Sequence, residues 1–134
     1  MDDSDPQGPQ QGAGPTQLRL IRISLLTAVV VTGAVVSVLV QNDPPRAPEL
    51  ARPLLMVNAV YLIGAMVGIL YFQRRHAAER VRQRQVTFNV VAWALGESTA
   101  LFGAVHYLLV GSPIPFVVGL GMLIAAFVLV PVRD

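Results

Sequence analysis

The chain has 134 residues, a formal net charge of +2, 54% hydrophobic and only 13% charged residues, and a mean hydropathy of +0.58. A charged share about half that of a soluble domain, with the apolar residues gathered into long runs, excludes a water-soluble globular fold and predicts one all-α membrane domain. No cysteine is present, which excludes disulfides, thiolate metal sites and cysteine nucleophiles; the basic residues, all ten of them arginine, mostly flank the apolar runs, where their counterpart is lipid phosphate rather than nucleic acid.

Residues 1–17, MDDSDPQGPQQGAGPTQ, are dominated by Pro, Gly, Gln and Asp. They can bury no apolar area and are expected to form a disordered tail ahead of a transmembrane domain over 18–134. The first apolar run, 21–40, is longer than the hydrophobic region of a secretory signal. Its end, Val38-Leu39-Val40-Gln41, lacks the small residues of a cleavage site, so it reads as a membrane span. Residues 41–53, QNDPPRAPELARP, are polar, hold four prolines and read as an irregular loop. The second run is 54–72. Residues 73–85, QRRHAAERVRQRQ, contain Arg74, Arg75, Arg80, Arg82 and Arg84 but no Gly or Pro. With such helix formers, the second and third helices are expected to extend beyond the bilayer here. The third run is 86–110, Gly111-Ser112-Pro113 predicts a tight turn, and the fourth run is 114–132. Each run is near the roughly 20 residues a membrane-crossing helix needs. None shows the alternation of barrel strands. The prediction is a four-transmembrane-helix bundle.

Four crossings return both termini to the side of 73–85. That side holds eight arginines, counting Arg19, Arg22 and Arg133, against Arg46 and Arg52 opposite. The positive-inside bias therefore predicts cytoplasmic N- and C-termini, in a multi-pass protein of the cell inner (plasma) membrane. Tyr71, Phe72 and Phe88 suit the inner interface, Tyr107 and Phe116 the outer one. The five arginines of 73–85 are expected to meet anionic lipid or an acidic partner surface.

Lipid tails are as apolar as leucine, so helices in a bilayer associate through close packing and polar contacts. The candidate packing residues are Gly64 and Gly68 in a GxxxG, Gly96 and Gly103 with Ala92 and Thr99, and Gly119 and Gly121 with Ala125 and Ala126.

One ionisable residue lies deep in an apolar run. Glu97 is about eleven residues into the third, roughly 16 Å along it and near the middle of a hydrocarbon core about 30 Å thick. A carboxyl there is a candidate functional site by default. Depth matching names Thr32, Tyr61 and Asn58 as its candidate partners in proton or ion binding. None is cationic, so desolvation favours the neutral acid. His106 lies nine residues on, about half a turn round the helix and roughly 13 Å along it, and reads as interfacial. His76 reads as solvated. No cluster of His, Cys, Asp and Glu has metal-ligand spacing, no phosphate-binding glycine loop occurs, and Ser98 and Thr99 lack a nearby base. An enzyme is not expected, and no cofactor is implied.

Glu97-Ser98-Thr99-Ala100-Leu101-Phe102-Gly103 resembles the ion-binding helix of rotary ATPase proteolipid subunits, in which a mid-membrane carboxylate precedes small residues, an aromatic and a glycine. The resemblance implies an ion-carrying role for Glu97, with Ala100 and Gly103 permitting close helix approach. The chain is also similar to small four-span bacterial membrane proteins with an A-x-E-x-x-A-L-F-G type third helix, a resemblance that implies a fold and no activity. The reading that follows is a non-catalytic helical bundle, an accessory or structural subunit that associates with other membrane subunits or with itself. The alternative is proton or cation translocation through Glu97.

Overall fold

Four α-helices joined by short connections make up the described part of the protein, residues 14–132 of a computed structural model. They are α1 (Pro15–Asn42), α2 (Ala51–Ala78), α3 (Arg82–Val110) and α4 (Ile114–Leu129). No strand occurs among the described residues. The first three helices are long and apolar enough to cross a membrane; α4, with 16 residues, is apolar but shorter.

α1 starts at Pro15, whose fixed φ and missing N–H suit a first helical position. The Gly14 N–H donates to Gln17 Oε1 at 3.2 Å, and Leu18 N–H donates to Gly14 O at 3.1 Å. The helix therefore takes in residues 15–17, which composition had assigned to the disordered tail, because a proline and a glutamine well placed for a helix start outweigh a polar composition. The remainder of that assignment, 1–13, lies outside the described residues. The expected loop over 41–53 also shrinks. α1 continues to Asn42, a 3-10 turn covers Pro48–Leu50, and α2 begins at Ala51 with Pro53 tolerated in its first turn. The connection is tied to the end of α3 by Ala47 N–H donating to Leu109 O at 2.9 Å.

α2 and α3 both run past the apolar spans, as the helix-forming composition of 73–85 predicts, and only residues 79–81 separate them. Glu79 makes the break. Its backbone is extended, and its Oε1 accepts from the N–H groups of Arg80 at 3.0 Å and Val81 at 3.1 Å. Gln85 Nε2 donates back to Glu79 O at 2.6 Å. The carboxylate thus sits beside the first turn of α3, where the helix dipole favours a negative charge. At the other end of α3, Gly111 takes φ 81 and donates to Tyr107 O at 2.8 Å, a left-handed cap at the tight turn that the Gly-Ser-Pro sequence predicts.

α4 stops at Leu129, short of the expected 132. Pro131 has no N–H to extend the helical ladder and disfavours the α conformation at Val130. The freed Val130 carbonyl accepts from the Trp93 indole N–H at 3.0 Å in a fully buried position. Irregular backbone at membrane depth requires such an internal partner.

α3 is the centre of the bundle and touches the three other helices, whereas the backbones of α1 and α2 do not approach each other closely among the described residues. The core gathers Leu18 and Val29 of α1, Ile69 of α2, Trp93 and Ala100 of α3, and Leu123, Ala126 and Phe127 of α4. The closest helix pair is α3 with α4, where three glycines let backbones touch. A β-carbon at Gly103 would lie 2.6 Å from Phe116 Cα, one at Gly119 2.6 Å from Ala100 Cα, and one at Gly96 2.8 Å from Leu123 Cα. Gly68 faces only the flexible end of Leu95, at 2.9 Å. Gly64 and Gly121 correct the expectation for their group: a β-carbon there meets nothing within 4 Å, because both lie on outward faces of their helices.

Substitution separates the two classes. Gly103→Ala and Gly119→Ala force backbone apart and should each destabilise the bundle by about 1–3 kcal/mol, the range for overpacked cores. Gly64→Ala and Gly121→Ala should be neutral or slightly stabilising, since each removes a flexible glycine from a helix interior. Thermal unfolding in detergent, followed by the fluorescence of the single tryptophan, reads all four; equal losses across the set would contradict the assignment.

Candidate functional site

Glu97 is the sixteenth residue of the 29-residue α3, one place beyond its midpoint. Its angular position follows from the helix period of about 100° per residue. The face bearing Gly96, Gly103 and Thr99 is covered by α4. The face bearing Leu95, Ser98 and Phe102 is covered by α2, through the Gly68–Leu95 approach, the Tyr61–Ser98 hydrogen bond and the stacked Tyr61 and Phe102 rings. Trp93, Ala100 and Ala104 are buried on the remaining side, where Trp93 meets Phe127 and Val130 and Ala100 lies against Gly119, and α1 also packs on α3. The backbones of α1 and α2 do not approach each other closely, and one strip of α3 is left open: Ala94, Leu101 and Val105 are exposed. Glu97, half-buried, stands about 40° from Trp93 and so lies at the α1 edge of this open seam.

The acid has no hydrogen bond and no ion pair among the described residues. Its three candidate partners are engaged elsewhere or turned away. Thr32 Oγ1 donates to Ala28 O within its own helix at 2.8 Å. Tyr61 OH donates to Ser98 Oγ at 2.7 Å, and that hydroxyl donates on to Leu95 O at 2.8 Å. Tyr61 does reach α3 at the depth of Glu97, but on the adjacent residue, about 100° round the helix. Asn58 is buried on the far side of α3 from the seam, and its Nδ2 has no acceptor among the described residues. The structure therefore does not bring Glu97, Asn58, Tyr61 and Thr32 together.

Both histidines depart from expectation. His106 is buried rather than interfacial, because the Pro48–Leu50 turn and the Ala47–Leu109 hydrogen bond close that end of the bundle over α3. Its Nδ1 has no hydrogen-bond partner among the described residues. His76 is buried rather than solvated: the first turn of α1 packs across the opposite end of the bundle, and Pro15, Leu18, His76, Arg82, Gln85 and Asn89 enclose a polar cavity of about 20 Å³.

The arginine segment divides. Arg75 donates from Nε to Tyr71 OH at 3.1 Å with its guanidinium 5.3 Å from that ring, and Arg84 pairs with Glu79 at 3.8 Å. Arg74, Arg80 and Arg82 are exposed. Tyr71, Phe72 and Phe88 form one aromatic group at the same end. Two contacts had no signal in the sequence. The Arg22 guanidinium lies 4.8 Å above the Phe127 ring, and Trp93 reaches Val130; both depend on where α4 ends. Ser98 could have been found as the Tyr61 partner by register, since it lies one residue from Glu97 and on the α2 side of the wheel.

Among the described residues no three His, Cys, Asp or Glu side chains converge as metal ligands. Comparison of the chain with protein-family models, curated proteins and solved structures gave no match.

At the inner turn, the hydrogen bond from the Val81 N–H, followed by that from Arg80 and the charges of Arg84 and Arg75, holds the Glu79 carboxyl below its ordinary value of 4.5 against the opposing effect of burial. A lowered native value means that the stabilisation is complete above 4.5 and fades as pH falls through the native titration. Hydrogen-exchange protection of the Arg80 and Val81 amides should be constant from pH 7 to about 5 and decline below that. Glu79→Gln, with no charge to lose, should flatten the profile.

Proposed function

We propose that the chain is a non-catalytic membrane bundle acting as an accessory subunit, and that the open seam beside Glu97 receives a transmembrane helix of its partner. The observation that carries this reading is the half-buried mid-helix acid with no partner among the described residues, at the edge of an exposed strip of α3. A carboxyl in hydrocarbon is rarely left facing lipid and ordinarily pairs within a bundle. Small residues favour close helix approach in membranes, and Ala94 lies on the strip. A complementary helix would bring a hydrogen-bond donor or a basic side chain to the depth of Glu97. In this reading the protein is a multi-pass component of the inner (plasma) membrane with both termini cytoplasmic, and the arginines of 73–85 meet anionic headgroups. A role in proton or cation movement has the same partnerless acid in its favour. It is the weaker reading, because Asn89 and His106 project from α3 about 80° and 180° away from Glu97 and so give no continuous polar path through α3.

Gentle solubilisation should recover the native protein with a partner at fixed stoichiometry. Glu97→Gln should retain part of that complex and Glu97→Leu lose it, with tryptophan fluorescence reporting that both stay folded. A native protein recovered alone, together with pH-driven flux in liposomes that Glu97→Gln abolishes, would replace the accessory role with translocation. Orientation has its own check, made simple by a chain without cysteine. Ala77→Cys should resist a membrane-impermeant maleimide in intact cells, whereas Ser112→Cys should react.

A further inference from the structure

We infer that the helix entering the open seam is α3 of a second copy of this chain, so that two bundles join about a two-fold axis along the membrane normal. The inference rests on the reading of the seam as a docking site and names its occupant.

The spacing of the seam suits a helix of the same pattern. Beyond its first turn, the exposed residues of α3 are Thr87, Ala94, Leu101 and Val105, and half-buried Val91, Ser98 and Leu108 fill the intervening positions. The steps along this strip run four, three, four, three, four and three residues. Their mean is the 3.5-residue period that keeps two helices in contact along a left-handed crossing. The neighbours within the bundle use other faces: α4 meets α3 at Gly96, Gly103 and Thr99, and α2 meets it at Leu95 and Phe102.

Glu97 and Ser98 flank the centre line of the strip. With Ala94 as reference, Leu101 and Val105 lie within about 20° on the helical wheel, Glu97 about 60° to one side and Ser98 about 40° to the other. Along the axis the two differ by about 1.5 Å. Copies of one chain insert with the same orientation, so their α3 helices run parallel, and the two-fold axis brings equal depths together. The same rotation sets one edge of a strip against the opposite edge of its copy. Glu97 of each chain therefore meets Ser98 of the other. Knobs-into-holes packing agrees, since Ser98 of the second copy enters the hole between Ala94, Glu97, Ser98 and Leu101 of the first.

The hydrogen-bonding capacities match. Ser98 Oγ accepts from Tyr61 OH at 2.7 Å and donates to Leu95 O at 2.8 Å. A hydroxyl has two acceptor lone pairs, so one is left, and the Tyr61–Ser98 bond lies exposed on the bundle surface. Glu97 has no partner among the described residues. As a neutral acid it donates to that lone pair; as a carboxylate it accepts the Ser98 proton turned from Leu95 O. A helix of unrelated sequence must bring such a group to this depth by separate means, whereas a second copy brings it by symmetry. The flank fits as well: Met56, Val57, Val60 and Tyr61 line an apolar groove on the side of α2 away from Asn58 and α4, and the rotation lays α1 of the second copy along it.

The test begins from a chain without cysteine. In native membranes, oxidation should link Ala94→Cys and Leu101→Cys each into a covalent homodimer, whereas Val117→Cys, exposed on α4, should stay monomeric. Both seam variants keep the acid and the hydroxyl, so a folding defect caused by losing either cannot decide this outcome. Association of the full-length protein in phosphatidylcholine vesicles, read by energy transfer between labelled copies as lipid is added, should weaken roughly 5- to 10-fold in Glu97→Leu and in Ser98→Ala, the loss of two interhelical hydrogen bonds. The double variant should be no weaker than either single one, because both remove the same pair. Trapping at neither seam position, equal trapping at position 117, or association unchanged by both substitutions would overturn the proposal. A photo-crosslinker carried by Leu101→Cys in native membranes separates the inference from the reading beneath it. An adduct of twice the chain mass supports both, an adduct with a different protein overturns the second copy and leaves the seam a docking site, and adducts with lipid alone overturn both.

Discussion

Backbone contact between α3 and α4 is the constraint on which the other features of the bundle rest. In hydrocarbon there is no water to expel, so two helices gain by meeting only if they approach closely. Gly96, Gly103 and Gly119 remove the side chains that would hold these two apart. The approach brings the Thr99 hydroxyl to within 3.4 Å of Gly119 O and sets the register by which Trp93 reaches Val130. With α4 fixed on one face, α1 and α2 can cover only two further arcs of α3. They do not close on each other, and the strip they leave is where Glu97 stands.

Long-range regularities were the legible part of the sequence. Runs of apolar residues announced the helices, the composition of 73–85 announced that α2 and α3 extend beyond their apolar runs, and Gly111-Ser112-Pro113 announced the tight turn between α3 and α4. Glycines were legible as a group but not one by one. Gly103 and Gly64 look alike in sequence, yet one touches backbone and the other faces outward, because direction on the wheel depends on which neighbour lies where. The start of α1 was missed for a related reason. Pro15 and Gln17 read as tail by composition, whereas the cap depends on the placement of two residues rather than on an average.

Polar residues were the least legible, since their meaning depends on tertiary partners. Depth matching placed Tyr61 and Asn58 at heights compatible with Glu97, and depth is only one of two coordinates. The angular coordinate sends Tyr61 to Ser98 and turns Asn58 toward α4. His76 and His106 lie near the ends of their spans, where solvent is the default expectation. Here the ends are roofed, one by the first turn of α1 and the other by the Pro48–Leu50 turn.

The early stop of α4 reaches into the surrounding lipid. Its 16 residues give a cylinder about 24 Å long, against hydrocarbon about 30 Å thick. Such hydrophobic mismatch is relieved by local thinning or by flanking side chains that reach for the surface, at fractions of a kcal/mol per Å. Arg22, resting on the Phe127 ring beside the truncated end, is placed to draw phosphate inward at that spot. The leaflet around α4 should be dimpled. A protein that carries its own dimple favours thin membranes, and it lowers the elastic work of gathering beside any neighbour that thins the bilayer in the same way.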